Sequence, residues 1–497
     1  MLLFLAQVLP LFTYRWVEDE SWYSSTAYTL FHEGKIRNGV FPELDIESKA
    51  DTRPIAMPAT LALAFATFGV GPGQARLPEL LAMLTTIPVV FWLGMLLGSP
   101  QAGVLAALLT GVDNMVFLGA RTVRPEAFVT FFGALAILLY VLSRQRNSVL
   151  LAFLSGIAVG ISCNYHSNGL AIAATLGLLL LAEHKFSIWK SRRAWALVLG
   201  AVTTLIPFCV WLAGDPVRLQ AFRVLYGRGE RMTWQAVLHS EGIRYADLLG
   251  FGNQRLSFTP FPVPLRLHIV LLIVISIGLL AWKRRDLFWM ILALIIPSLL
   301  LWPKEVNPTV RYFAVLAPYF ALAVALSFQT INRPRWRLAF ACWCALVVVT
   351  EIAGNVIVLR QARTANYVAC TNRLRSLVPE NARVLGAITF FMALHDRTYY
   401  SWNRTPLDFA VNKLGVDYLI MNDRVLLHGS GFGLDDWKEQ REIANSFVRE
   451  SADLVGRVPD PFYGDLEIYR VRQNSTSDSW GHNLVKPSAS PSNANAK

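Results

Sequence analysis

Apolar residues in this chain come in runs of about 16–20, broken by short stretches rich in Lys, Arg, Gly or Pro. A helix needs about 20 apolar residues to cross the hydrocarbon core of a bilayer. The runs predict eleven spans: Leu2–Tyr14, Leu77–Leu97, Ala102–Ala120, Ala127–Leu142, Val149–Tyr165, Gly169–Ala182, Ala194–Ala213, Leu265–Trp282, Leu287–Trp302, Tyr312–Phe328 and Leu338–Leu359. A further apolar stretch, Ile55–Val70, is short and contains Pro58. It reads as a helix lying on the outer surface or dipping into the membrane. After Leu359 the pattern changes to alternating helix-like and strand-like segments. Arg383–Ile388 and Val416–Asn422 read as strands, and Pro406–Leu414 and Asp435–Ser446 as helices. Ala452–Val458 and Leu466–Arg472 read as paired strands turned around Tyr463-Gly464-Asp465.

Composition strengthens the membrane reading. Of 497 residues, 54% are hydrophobic and 16% charged, against about a quarter charged in soluble domains. The pattern predicts a polytopic α-helical membrane protein with a small C-terminal extracytoplasmic α/β domain. Residues 1–359 form the membrane domain, with a long first outer loop (15–76) and a second large outer loop (214–263). Residues 360–472 form the α/β domain, and 473–497 a disordered tail rich in Ser, Asn and Pro. No basic segment or cleavage site precedes the first run, so no removable signal peptide is expected.

Charge placement sets the orientation. Alternate short loops carry Arg144 and Arg146; Lys185, Lys190, Arg192 and Arg193; Lys283, Arg284 and Arg285; and Arg333, Arg335 and Arg337. Cationic short loops lie on the cytoplasmic side. These twelve cations, offset only by Glu183 and Asp286, account for most of the net charge of +12. The basic balance is therefore a topology signal, and no nucleic-acid partner is expected. The outer loop Gly214–Val263 runs against the rule, with six arginines. Four of the five cysteines lie in apolar runs and Cys370 is alone in the polar part, so no disulfide framework follows.

Three polar clusters carry the candidate chemistry. The first is Trp16-Val17-Glu18-Asp19-Glu20-Ser21-Trp22-Tyr23, directly after a span. Such carboxylates are often plain solvated groups with aromatic interface anchors; the functional reading is a general base at the outer mouth of a membrane cavity. The second is Gly119-Ala120-Arg121-Thr122-Val123-Arg124-Pro125-Glu126. It either caps a span start, or Glu126 joins the acidic cluster with Arg121 or Arg124 neutralising it. The third contains Arg311-Tyr312 and Pro318. Arg311 either snorkels or binds phosphate, for which guanidinium geometry is suited. Arg53 is a similar candidate, and His166 at an outer span end is either structural or a ligand contact. No Walker loop, zinc spacing or Gly-rich dinucleotide turn occurs, and the glycines in the spans read as helix packing.

The ordered set of these pieces resembles the C-type-fold membrane glycosyltransferases, in particular the protein O-mannosyltransferase and aminoarabinose-transferase group. Asp19-Glu20 resembles their Asp-Glu motif, and Tyr28–Gly34 the helix that follows it. Arg53-Pro54-Ile55 and Phe65–Gly69 resemble their Lys/Arg-Pro-Pro-Leu helix, and Ala75-Arg76-Leu77-Pro78 their Ala-Arg-Leu-Pro signature. Arg121–Phe132 resembles the segment with their second acidic residue, and Arg311-Tyr312 with Pro318 their Arg-Tyr…Pro motif. The likeness covers about Met1–Phe328. It departs from the pattern in having Glu126 where Asp is usual, and His166 as the nearest basic group where a Lys is common.

The resemblance implies an inverting glycosyltransferase with a polyprenyl-phosphate-linked sugar donor, acting outside the cytoplasm in a bacterial inner (plasma) membrane. Asp19 would be the base, with Glu20 and Glu126 as further catalytic residues. Arg53, Arg311 and His166 would bind the donor phosphate. No cofactor is certain, and a divalent ion held by Asp19, Glu20 and Glu126 is left open. The acceptor is a glycolipid, a polysaccharide or a protein. Two other classes compete. A transporter or flippase of lipid-linked sugars would show internal repeats and midplane charges. A non-catalytic assembly protein would not need acids beside phosphate-binding cations.

Overall fold

The structure is a computed structural model that describes residues 1–42, 44, 54–227, 235, 239, 242, 263–301, 312–364, 366–422 and 434–472. Arg53, Arg311, most of the loop after Gly214 and the tail from Gln473 lie outside these residues. The chain divides into two compact units, Met1–Thr371 and a second from Asn372 onward.

The first unit is helical. Its elements are α1 (Leu2–Val8), α2 (Glu18–Glu33), α3 (Ala56–Phe68), α4 (Pro72–Leu97), α5 (Pro100–Val112), α6 (Asn114–Ala120), α7 (Glu126–Arg146), α8 (Val149–Tyr165), α9 (Gly169–His184), α10 (Arg192–Ala213), α11 (Pro216–Gly227), α12 (Val263–Lys283), α13 (Arg285–Leu301), α14 (Phe313–Phe328) and α15 (Pro334–Ala362). Among the described residues, six helices are long and apolar enough to cross a membrane, or seven if α5 and α6 form one bent span. Eleven spans were expected from the runs, and two differences have clear causes. Leu2–Tyr14 folds as the seven-residue α1 and a 3-10 turn, too short to span. The run Ala102–Ala120 breaks at Asp113 with a bend of 61°.

That break is stabilised by polar groups inside the run. Asp113 caps α6 by accepting from the amides of Met115 and Val116 at 2.8 and 3.1 Å. Glu351 of α15 accepts from the Asn114 amide at 2.7 Å. Asn355, one turn further along α15, donates to the Val112 carbonyl at 3.1 Å and to Gln7 of α1 at 3.0 Å. A broken helix at membrane depth requires such partners for its freed backbone groups.

Close helix contact holds the rest together. Gly156 of α8 and Gly200 of α10 let two backbones touch: a Cβ at Gly156 would lie 1.9 Å from the Leu197 carbonyl oxygen, and one at Gly200 2.1 Å from that of Phe153. This is the small-residue packing that lipid-embedded helices use in place of a hydrophobic driving force. Trp189, Trp195, Trp282, Trp289 and Trp336 are exposed and lie within a few residues of the basic loops. Together they mark the ends of these helices as an aromatic, cationic interface.

The second unit holds a five-stranded sheet in the order β2-β1-β3-β5-β4. Its strands are β1 (Arg383–Gly386), β2 (Thr398–Ser401), β3 (Tyr418–Asn422), β4 (Ala452–Asp460) and β5 (Gly464–Val471). The pairings β1–β2 and β1–β3 are parallel; β3–β5 and β4–β5 are antiparallel. Helices α16 (Tyr367–Leu377), which begins in the first unit, α17 (Leu407–Asn412) and α18 (Leu434–Ser451) accompany it. Leu385, Leu419 and Met421 of the sheet pack with Leu407, Val411, Phe447 and Val448 of α17 and α18 in one core. Asp460 shapes the β4–β5 turn by accepting from the amides of Phe462 and Tyr463, each at 2.8 Å. Gly464 supplies the positive φ of 78° that the turn needs. Strand β2 was not expected from the sequence.

Candidate active site

The acidic cluster splits in two at the start of α2. Val17 is extended (φ −111°, ψ 160°) and precedes the first helical turn. Its amide donates to Glu20 Oε2 at 3.0 Å, the backward half of a capping box. Successive helix positions face different directions, so Glu20 turns inward while Asp19 turns outward.

Glu20 is fully buried. Its Oε1 accepts from Arg76 Nε at 2.8 Å and from the Val123 amide at 3.0 Å. Its Oε2 accepts from Arg76 Nη2 at 2.9 Å as well as from Val17. Arg76 of α4 spends its remaining donors on the carbonyls of Phe12, Tyr14 and Arg15, at 3.2, 3.0 and 2.8 Å. Its guanidinium also lies 4.9 Å from the Trp16 ring. One bidentate pair thus ties the N-terminal segment, α2, α4 and the 121–125 turn together. Such a pair is favourable only when its remaining hydrogen-bond capacity is filled, as it is here.

Asp19 is half exposed, with 49% of its side chain accessible. It is ion-paired with Arg124 Nη1. Arg124 reaches back to Glu126, donating from Nη2 to Oε1 at 2.7 Å and from Nε to both oxygens at 3.1 and 3.0 Å. Arg124 is therefore the cation that joins the two acidic segments, which lie about a hundred residues apart in sequence. Arg121 turns away beneath Tyr14 and Phe117, 5.2 and 5.5 Å from their rings.

His166 follows α8. Its Nδ1 accepts from the Asn168 amide at 3.1 Å, and its ring lies close enough to act electrostatically on Glu126. The His166 and Tyr312 rings are 5.9 Å apart, so the start of α14, immediately after residue 311, comes to the same neighbourhood. Helix α3 joins in through Thr60, whose hydroxyl is 2.7 Å from that of Tyr165. Tyr165 also stacks on Phe128 at 4.1 Å.

Asp19, Glu126, His166 and Tyr312 are thus brought together. Glu20 stands beside them as the anchor of a clamp, and Arg53 and Arg311 fall outside the described residues. Arg76 and Tyr165 are the groups that sequence reading did not single out for the site. The Ala75-Arg76-Leu77-Pro78 signature was the available signal for Arg76. The three carboxylates do not fit the ion site left open by the sequence. Glu20 faces Arg76, Glu126 faces Arg124, and among the described residues no three His, Cys, Asp or Glu side chains converge as metal ligands. From Glu126 to Arg146, α7 runs about 30 Å at 1.5 Å per residue, so this cluster and the basic loops occupy opposite ends of the bundle.

The helical bundle followed by a small mixed sheet is a fold shared with solved structures of ArnT and of an archaeal oligosaccharyltransferase. Residues 52–211 match the family model described as dolichyl-phosphate-mannose-protein mannosyltransferase. ArnT from Cupriavidus metallidurans superposes with a TM-score of 0.65 in its apo state, at 13% identity, over 94% of this chain and 97% of that one. Its structure bound to undecaprenyl phosphate gives 0.67 at 14% identity with the same coverage. The archaeal oligosaccharyltransferase AglB from Archaeoglobus fulgidus, in complex with an inhibitory peptide and a dolichol-phosphate, gives 0.51 at 12% identity, over 88% of this chain and 72% of that one. No curated protein matches the chain in sequence.

Proposed function

We propose that this protein transfers a sugar from a polyprenyl-phosphate-linked donor to an acceptor hydroxyl, with inversion, on the extracytoplasmic side of a bacterial inner membrane. The observation that carries the reading is the pairing of an accessible carboxylate, Asp19, with a rigid scaffold built by Glu20 and Arg76. A general base must be reachable and fixed at once. Asp19 meets both needs, because its neighbour in sequence is locked while it faces outward.

In the proposed step the acceptor oxygen attacks the anomeric carbon from the face opposite the phosphate. The new C–O bond forms as the bond to the phosphate oxygen breaks. Asp19 takes the acceptor proton, and polyprenyl phosphate leaves. Arg124 holds Asp19 beside Glu126 and offsets part of their charge. Arg311 and Arg53 would bind the departing phosphate, whose charge grows in the transition state; His166 would join them there. The lipid part of the donor has a candidate berth. A cavity of about 330 Å³ runs from Phe313 and Ala317 of α14 past Ile269 and Ile273 of α12. The domain from 360 to 472 would take part in selecting the acceptor, whether glycolipid, polysaccharide or protein.

The test is transfer from a radiolabelled polyprenyl-phosphate sugar to membrane extracts containing the protein. Label moving into an acceptor with wild-type protein and not with Asp19→Asn supports the reading. Equal transfer by both removes Asp19 from its role.

A further inference from the structure

At the end of the bundle opposite Asp19, α4, α7, α9 and α13 enclose a cleft of about 800 Å³. Its walls are apolar, formed by Leu97, Leu178, Leu292 and Ile296 among others. Its mouth is polar, with Tyr140, Arg144, Gln145, Glu183, Arg284 and Asp286. It lies among the basic loops and exposed tryptophans, with Trp289 on its rim.

The polar groups at the mouth are not equivalent. Glu183 is taken by an ion pair with Arg193 and by the Tyr140 hydroxyl at 2.9 Å. Asp286 is taken by Arg284 at 3.0 Å. Internal pairing leaves Arg144, which makes no ion pair or side-chain hydrogen bond among the described residues and is exposed. The cleft therefore presents one uncompensated cation above an apolar slot. At about 30 Å³ per molecule, the slot has room for more than twenty waters, yet its walls offer them few partners.

We propose that this cleft is a binding site for one anionic glycerophospholipid, with its phosphate on Arg144 and its acyl chains along the Leu97, Leu178, Leu292 and Ile296 wall. A basic pocket between membrane helices beside the cationic interface suits an anionic headgroup, and guanidinium is the preferred partner of phosphate. The apolar wall supplies the burial that a free phosphate ion could not use. Arg144 lies about 27 Å along α7 from Glu126, so the phosphate contact is separate from the acidic cluster.

The experiment uses the full chain purified in mild detergent. Retained lipids are quantified by mass spectrometry, and thermal unfolding is followed with added phosphatidylglycerol, phosphatidylcholine or inorganic phosphate. The expected result is about one retained anionic phospholipid per chain. Phosphatidylglycerol should raise the melting temperature, while phosphatidylcholine and inorganic phosphate should not. Arg144→Gln should weaken the phosphatidylglycerol effect about tenfold, as expected for one lost charge-assisted hydrogen bond, and Arg144→Lys should keep most of it. Ala182→Trp, which obstructs part of the cleft while leaving Arg144 in place, should lower retention, and it carries the test if the Arg144 variants fold poorly. Equal effects of phosphatidylcholine or inorganic phosphate, or unchanged retention in both Arg144→Gln and Ala182→Trp, would overturn the proposal.

Discussion

Glu20 and Arg76 form a bidentate ion pair, at 2.8 and 2.9 Å, in which both side chains are essentially removed from solvent. The pair closes the N-terminal segment over α4 and leaves the adjacent Asp19 facing outward. Its first consequence is for stability. Glu20→Gln or Arg76→Leu leaves a buried charge uncompensated and should cost about 3–5 kcal/mol. The double change should cost less than the sum, because neither charge is then stranded. Thermal unfolding of the purified variants checks this, and additive losses would contradict it.

Arg124 is the link between Asp19 and Glu126. Arg124→Ala should strand the buried Glu126 carboxylate and displace Asp19. Misplacement of a catalytic group by about 1 Å can cost about 10²-fold in rate, and a loss of that order is expected here. Glu126→Gln keeps much of the hydrogen bonding to Arg124 and should be milder. Transfer rates of the two variants, measured beside Asp19→Asn, give the order: Asp19 most severe, Arg124 next, Glu126 least.

The α8–α10 contact tests the packing. Gly156→Leu or Gly200→Val should drive a side chain into the facing backbone and lower stability by more than about 1–3 kcal/mol, the range for overpacked cores in which flexible side chains can yield. Gly278→Ala, with nothing within 4 Å of the added carbon, should be neutral. Melting temperatures in detergent distinguish the cases.

In the second unit, burial pushes the Asp396 carboxyl up, but hydrogen bonds from Arg397 and Arg375 outweigh it and hold the group below the usual carboxylate range. A carboxyl depressed in the folded state adds stability above its unfolded value of about 3.9. That contribution is lost as pH falls through the folded value. Wild type should therefore lose protection of the segment around Asp396 on acidification below about pH 4 more steeply than Asp396→Asn, as hydrogen exchange on the full chain would show.

The parts legible in the sequence were those set by periodicity and by local turn chemistry. The runs gave the long helices, and the alternation after Leu359 gave β1, β3 and the β4–β5 pair. Strand β2, Thr398–Ser401, was missed because it sits between Asp396-Arg397 and Asn403-Arg404, whereas the equally short β1 opens an apolar run. The break at Asp113 was hidden because averaging over an apolar run conceals one capping residue. Its partners, Glu351 and Asn355, lie more than two hundred positions away. At the site, the sequence offered Arg121 and Arg124 as equal candidates for neutralising Glu126. Only the direction of the turn after α6 separates them, sending Arg121 under Tyr14 and Arg124 to the carboxylates. Glu20 and Asp19 looked alike for the same reason, since helix phase decides which one is buried.

The most direct test of the central claim is the Asp19→Asn variant, assayed for both folding and transfer. Asp19 is half exposed and Arg124 keeps its pairing with Glu126 when Asp19 is neutralised, so the variant should purify and melt like wild type. Loss of a general base should nevertheless lower transfer from a polyprenyl-phosphate sugar by about 10²–10⁴-fold. A variant that folds normally and transfers at the wild-type rate would contradict the account.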